Sequence, residues 1–342
     1  MSDESIELRL ENPNYNDEND KKIKLDLSEY ESVYIMYGSD LRGLDIKFKK
    51  GGEVIFGLNE NPWGDEGNIK GIPEDLTMLG EVTFYNVDSA PVKLGKESSL
   101  HISGTMPSKL DTSPCAEISL SNLTLDKDIG SSNLRDLRLD NVDVATVNLD
   151  VSSVESFFAQ RTSFNKDLEL TFKSGAEDIT FHDCREEMPK KITANDCEFI
   201  RLSSHDLSNV KSMDYSAKEL YCLGVRAFPS NFKFDKAETV DLASCNLSNT
   251  NLSFADNSCV SMSNIISLSP SQSTLDFSNC KDVKISDIKS GTFDRRDKYI
   301  YLPNKDNVKQ LQQELTAKGL PSGNVYFGKP LGLCKGKPNT RQ

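Results

Sequence analysis

Imidazoles beside hydroxyls are the first grouping in this chain whose residue types could do chemistry. His101 lies near Ser103, Ser119 and Ser121, and His182 lies near Ser203, once the chain is folded by its repeat. A serine made nucleophilic by histidine also needs a group to orient the imidazole and donors for an oxyanion. The pattern offers neither, and serine is so common here that its nearness to histidine carries no weight. The three histidines (His101, His182 and His205) are too scattered for a metal site, and none of the eight cysteines forms the CxxC pair of a zinc site. There is no GxGxxG, GxxxxGK[ST], GxSxG or HExxH, and Asp17-Glu-Asn-Asp-Lys-Lys lacks the Gly and final Glu of a calcium loop. No catalytic residue, cofactor or metal is expected from these residues.

What must position any site is a pattern that returns about every twenty residues, apolar–x–apolar–x–(Asn/Asp/x)–apolar. It reads Val82-Thr-Phe-Tyr-Asn-Val87, Ile118-Ser-Leu-Ser-Asn-Leu123, Leu137-Arg-Leu-Asp-Asn-Val142, Ile179-Thr-Phe-His-Asp-Cys184, Val240-Asp-Leu-Ala-Ser-Cys245 and Val260-Ser-Met-Ser-Asn-Ile265. Its first apolar residues are Val82, Leu100, Ile118, Leu137, Phe157, Ile179, Ile200, Leu220, Val240 and Val260. Val283 to Ile285 and Ile300 to Leu302 extend the series less regularly. A fixed period of this length marks a solenoid, because a unit too small to bury its own apolar face buries it against its neighbours. Alternation over three residues marks a short strand with one buried face. A second apolar–x–apolar series (Val92 to Leu94, Val147 to Leu149, Leu168 to Leu170, Ile192 to Ala194, Phe232 to Phe234, Leu252 to Phe254, Leu275 to Phe277) predicts another extended row on the return leg. Asn86, Asn122, Asn141, Asp183, Asp196, Asn264 and Asn279 are expected to turn the chain off the strand, since Asn and Asp tolerate a left-handed backbone.

With its two inward strand slots kept (Leu137 with Leu139, Ile118 with Leu120, Val240 with Leu242), the array resembles a leucine-rich repeat solenoid of the irregular bacterial type over residues 79–302, departing from it where that repeat carries Asn and this chain has Val87, Leu123, Val142, Thr162, Cys184, Val225, Cys245 and Cys280. A right-handed parallel β-helix is the alternative fold. The resemblance implies a non-catalytic scaffold that binds another protein, either inside its own cell or as a bacterial effector delivered into a host cell. A carbohydrate-binding or carbohydrate-active β-helix, or an adhesin, is the alternative function.

Domain organisation follows the repeat. Residues 1–78 show strand-like alternation without the period and are expected to form an N-terminal β cap. Residues 79–297 form the array. Residues 298–342 are expected to make a strand–helix–strand cap with a basic tail, Val308, Leu311 and Leu315 sharing one helix face and Gly319 ending it. Net charge is −13, with 18 acidic and 9 basic side chains in residues 1–78 against 2 and 8 in residues 298–342. So acidic a body argues against a nucleic-acid partner. Apolar runs such as Val33 to Tyr37 are too short to cross a bilayer, so no membrane partner is expected. The acidic first residues do not read as a secretory signal. Cys184, Cys197, Cys245 and Cys280 occupy apolar slots of the repeat, as small buried hydrophobes in a reducing compartment would. Cytoplasmic localisation, or export by a route without a signal peptide, follows.

The outward positions carry the remaining candidate. One row reads Thr83, His101, Ser119, Arg138, Phe158, Thr180, Arg201, Tyr221, Asp241 and Ser261; the next reads Tyr85, Ser103, Ser121, Asp140, Gln160, His182, Ser203, Leu223, Ala243 and Ser263. No carboxylate pair lies in these two rows, so the two-acid geometry of glycoside hydrolysis has no support in them. Arg138, Phe158, Arg201 and Tyr221 stand close together in register, and Arg and aromatic side chains are the usual anchors of interfaces. These four are the candidate binding residues.

Overall fold

A computed structural model describes residues 5–10, 22–58, 69–74, 76–144, 146–184, 188–229, 232–248, 253–267, 274–287, 299–320 and 322–328. The chain divides into two compact units, Met1–Asn165 and Lys166–Gln342. Each is a parallel β-solenoid of stacked coils.

In the first unit the main row runs through strands Ser5–Leu8, Ser32–Met36, Glu53–Leu58, Glu81–Tyr85, Ser99–Ser103, Glu117–Thr124, Asp136–Val144 and Ser156–Gln160, each parallel to the next. The pairing puts Val54, Val82, Leu100, Ile118, Leu137 and Phe157 in one inward line, and Phe56, Phe84, Ile102, Leu120, Leu139 and Ala159 in the other. All of these are buried. Each line fills the core because side chains two residues apart share a sheet face. The return legs pair separately: Ile23–Leu27 with Leu44–Phe48, Thr77–Met78 with Lys93–Leu94, and Ile129–Gly130 with Leu149–Asp150. Strands Ser5–Leu8, Ser32–Met36 and Glu53–Leu58 therefore continue the main row, and no break in its pairing falls at residue 78. The sequence hid this because the early coils lack the twenty-residue period. Pro62-Trp63-Gly64 lies outside the described residues.

In the second unit Asp178–His182, Lys191–Ser203, Ser212–Leu223, Ala237–Ala243, Cys259–Ser263 and Asp282–Ser286 stack in parallel. Ile179, Ile200, Leu220, Val240, Val260 and Val283 form one buried line, and Phe181, Leu202, Cys222, Leu242, Met262 and Ile285 the other. Ile300 to Leu302 does not join this row. Strand Tyr299–Leu302 pairs with Thr274–Asp276 and Val325–Phe327, so it continues the return-leg series. Between Tyr299–Leu302 and Val325–Phe327 lies a helix, Lys305–Ala317, which starts earlier than the apolar spacing suggests because Asn304 caps it, accepting from the Asn307 N–H at 2.8 Å. Leu311 and Leu315 are buried on it, and Gly319 follows at φ +69°.

From Glu81–Tyr85 onward the turn off each main strand has one solution. Four residues after the first inward residue, the backbone is left-handed at Asn86, Gly104, Asn122, Asn141 and Arg161 in the first unit. The same holds at Asp183, Ser204, Gly224, Ser244, Asn264 and Asp287 in the second. Left-handed backbone costs an ordinary residue about 1–2 kcal/mol, so Asn, Asp and Gly recur there. At Gly104 a Cβ would also lie 1.8 Å from the Asn86 Oδ1. The geometry is held by a ladder between coils: the N–H of Asn86 donates to Ser103 O, Gly104 to Ser121 O, Ser204 to Leu223 O, Gly224 to Ala243 O and Ser244 to Ser263 O. Asp196 is also left-handed, inside Lys191–Ser203 where the register shifts. Asn279 is not, because it follows a return-leg strand; its carbonyl accepts from the Asn257 N–H.

Candidate binding site

The outward face carries three rows rather than two. Alternation that buries Ile118 and Leu120 turns Glu117, Ser119 and Ser121 outward, so the residue just before each inward pair also belongs to the face. That row reads Glu53, Glu81, Ser99, Glu117, Asp136 and Ser156 in the first unit. It contains the carboxylate pairs that the two sequence rows lacked, for Glu53 is the register partner of Glu81 and Glu117 of Asp136. The signal was present in the alternation itself. A pattern anchored on the first apolar residue leaves this row out.

In the first unit, Arg138 and Phe158 are register partners, and the guanidinium lies over the ring at 4.7 Å. His101, Ser119 and Arg138 stand side by side on successive strands. The short Ser119 leaves a gap between its two taller neighbours, a cavity of about 260 Å3 edged by Glu117 and Asp136 and walled by Phe158. Glu117 accepts from the Ser99 hydroxyl, which draws it toward the preceding coil and away from Arg138. Burial, and then the charge of Glu117, push the Asp136 carboxyl above the ordinary aspartate range, with the Arg135 charge and then the Ser156 hydroxyl opposing them. Among the described residues, Arg138, Glu117 and Asp136 have no ion-pair partner. The neighbouring cations do: Arg135 pairs with Glu97 and Arg161 with Asp140, both at 2.7 Å. His101 Nε2 is 3.2 Å from Glu81, so a carboxylate rather than a serine engages it.

In the second unit, Arg201 and Tyr221 are also register partners. Arg201 lies 5.8 Å from the Tyr221 ring and 5.1 Å from that of Phe199. Here, however, the charges are answered internally. Arg201 is ion-paired with Asp178, and the Tyr221 hydroxyl donates to Glu219, a bond that pushes the phenol pKa up. Asp178 stands to Arg201 as Glu117 stands to Arg138, one strand back and two residues earlier. The same diagonal is closed in one unit and open in the other. The four candidate residues thus form two pairs, one in each unit. A groove of about 550 Å3 elsewhere on the second unit runs past Cys197, Ala217 and Ala237. It exists because those side chains are small, and its lysines are spoken for, Lys218 by Glu198 and Lys236 by Asp214.

None of the described cysteines is in a disulfide, and Cys184, Cys197, Cys245 and Cys280 are buried as expected; Cys334 lies outside the described residues. Burial pushes the thiols of Cys115 to about 12 and of Cys197 and Cys245 to about 11, far from the thiolate a nucleophile or metal ligand needs. At the corner after the left-handed residue, Thr162, Cys184 and Cys245 each turn a polar hydrogen to the carbonyl two residues back. His205 occupies the same slot, fully buried, its Nδ1 accepting from the Cys184 N–H at 3.1 Å. Burial pushes its pKa down.

Among the described residues, no group of three or more His, Cys, Asp or Glu is placed to hold a metal ion, and no helix is long and apolar enough to cross a membrane. The basic tail Lys329 to Arg341 lies outside the described residues. Compared with known proteins, the chain matches no family, no curated protein and no solved structure.

Proposed function

We propose that this chain is a non-catalytic scaffold that binds another protein through the outward strand face of its first unit. The observation that carries this reading is the Arg138–Phe158 stack, an exposed guanidinium held on an aromatic ring with no ion-pair partner among the described residues. Arg and aromatic anchors of this kind concentrate binding energy at interfaces. The acids beside it (Glu81, Glu117, Asp136) favour a partner with basic side chains and speak against nucleic acid. The coils are of leucine-rich-repeat type in this reading, with the parallel stacking and the two buried apolar lines supporting it. Buried cysteines outside disulfides support work in a reducing compartment, whether its own cytoplasm or that of a host reached as an effector. The test is capture from bacterial and host lysates followed by cross-linking. Contacts should map to Glu117–Thr124, Asp136–Val144 and Ser156–Gln160, and capture should be lost with Arg138→Glu. Capture by Arg138→Glu at the wild-type level would refute the assignment.

One observation favours a second reading. Glu117 and Asp136 sit opposite each other on strands about 4.8 Å apart. A pair of carboxylates on one face is what glycoside hydrolysis requires, which suits a carbohydrate-binding or carbohydrate-active protein. Glycan-array binding or glycoside cleavage that disappears in Glu117→Gln and Asp136→Asn would replace the scaffold reading with this one.

A further inference from the structure

We propose that the cavity between His101 and Arg138 binds a small zwitterion, with an ammonium group on Glu117 and Asp136 and a carboxylate on Arg138. The inference stands apart from the scaffold reading, since it concerns a free ligand and needs no macromolecular partner.

The argument begins with the charges. Across the two units, a cation and a carboxylate on the same strand diagonal meet in one case and miss in the other. Arg201 closes on Asp178. Arg138 instead leans over Phe158, while the Ser99 hydroxyl holds Glu117 toward the opposite side. What remains is a guanidinium on one wall and two carboxylates along the edge of a single cavity, none with an ion-pair partner among the described residues. Asp136 registers the crowding of like charge: burial and then Glu117 raise its pKa, and the opposing cation, Arg135, is itself paired with Glu97.

Ligand charge then decides the class. A purely cationic ligand would satisfy the carboxylates and be repelled by Arg138. A purely anionic one would satisfy Arg138 and be repelled by two carboxylates. A ligand with one ammonium and one carboxylate answers both walls, and a planar guanidinium is suited to a carboxylate's two oxygens. Size narrows the class further. About 260 Å3 falls just below the roughly 300–1,000 Å3 of sites for drug-sized molecules, so the ligand has the bulk of a free amino acid and not of a nucleotide. Ser119 adds a hydroxyl at the floor, and Phe158 gives an apolar wall for a side chain.

The test uses the full chain and the twenty free L-amino acids as probes, titrated by calorimetry at low ionic strength, where exposed charges are least screened. Saturable binding by at least one of them is expected. N-acetylating its amine or amidating its carboxylate should each weaken binding by about fivefold, the upper end for a partly exposed charge pair. Arg138→Gln should make the acid and its amide bind alike, and Glu117→Gln should shrink the penalty for acetylation. Arg201→Gln, in the second unit, should leave binding unchanged. The proposal is overturned if no free amino acid binds saturably, if blocking either charge has no effect, or if Arg138→Gln and Glu117→Gln bind as the wild type does.

Discussion

Two solenoid units built on the same coil differ in what they do with the charges on their outward face. The first leaves Arg138 stacked on Phe158 and separated from Glu117. The second ties Arg201 to Asp178 and Tyr221 to Glu219. The backbone relation is the same, so the difference lies in the neighbours. A serine one coil back competes for Glu117. Residue lists therefore do not define a binding face; whether each charge is already answered does.

The comparison can be broken first in the core, where the units should behave alike. Leu139 and Leu242 are fully buried second-line residues, one in each unit. Leu139→Ala and Leu242→Ala should each lower unfolding free energy by about 2–5 kcal/mol in urea titrations. A loss under about 0.5 kcal/mol at either, the size of a surface effect, would mean that its side chain is not where the register puts it.

Acid should separate the units, because the buried imidazole lies only in the second. A histidine whose folded pKa is depressed is neutral in the native state and gains its proton on unfolding. The unfolded chain then binds more protons below about pH 6.5. The contribution of His205 to stability is complete above that value and is lost as pH falls toward its lowered folded pKa. Urea midpoints should thus fall between about pH 7 and about pH 5. His205→Val, which installs the residue type that Val225 places in the same slot of the next coil, should flatten this trend. An unchanged slope in the variant would locate the acid sensitivity elsewhere.

Surface substitutions give smaller effects and a finer contrast. Arg201→Gln breaks a partly exposed ion pair and should cost about 0.2–1 kcal/mol, with the loss shrinking in high salt. Arg138→Gln breaks none among the described residues and should stay within about 0.5 kcal/mol of the wild type in any salt. Equal salt-dependent losses in both would show that Arg138 has a carboxylate partner in solution. Thiol labelling adds a last distinction: half-buried Cys259 should react before the fully shielded Cys222.

Much of the fold was legible because the coil repeats its chemistry. Alternation gave the two buried lines, and Asn at the fifth position marked the left-handed turn. Arg161, Ser204 and Ser244 adopt that turn too, and no residue preference reveals it there; at Ser204 and Ser244 the hydrogen-bond ladder holds it. The early coils were missed because their lengths vary. Ile300 to Leu302 was assigned to the main row because periodicity alone cannot tell an outward leg from a return leg. For the site, the register lists placed Arg138 beside Phe158 and Arg201 beside Tyr221. The Ser99–Glu117 and Arg201–Asp178 contacts depend on rotamers and on a row the count left out, so the open and closed states of the two patches were not readable from residue order.

The most direct measurement of the claim that the first unit's face binds and the second's does not is a matched pair of affinities. A captured partner is titrated against Arg138→Glu and against Arg201→Glu, with melting temperatures recorded for both. The expected result is weakening by about tenfold or more for Arg138→Glu, little change for Arg201→Glu, and both proteins folded. Equal weakening by the two, or a larger loss for Arg201→Glu, would contradict it.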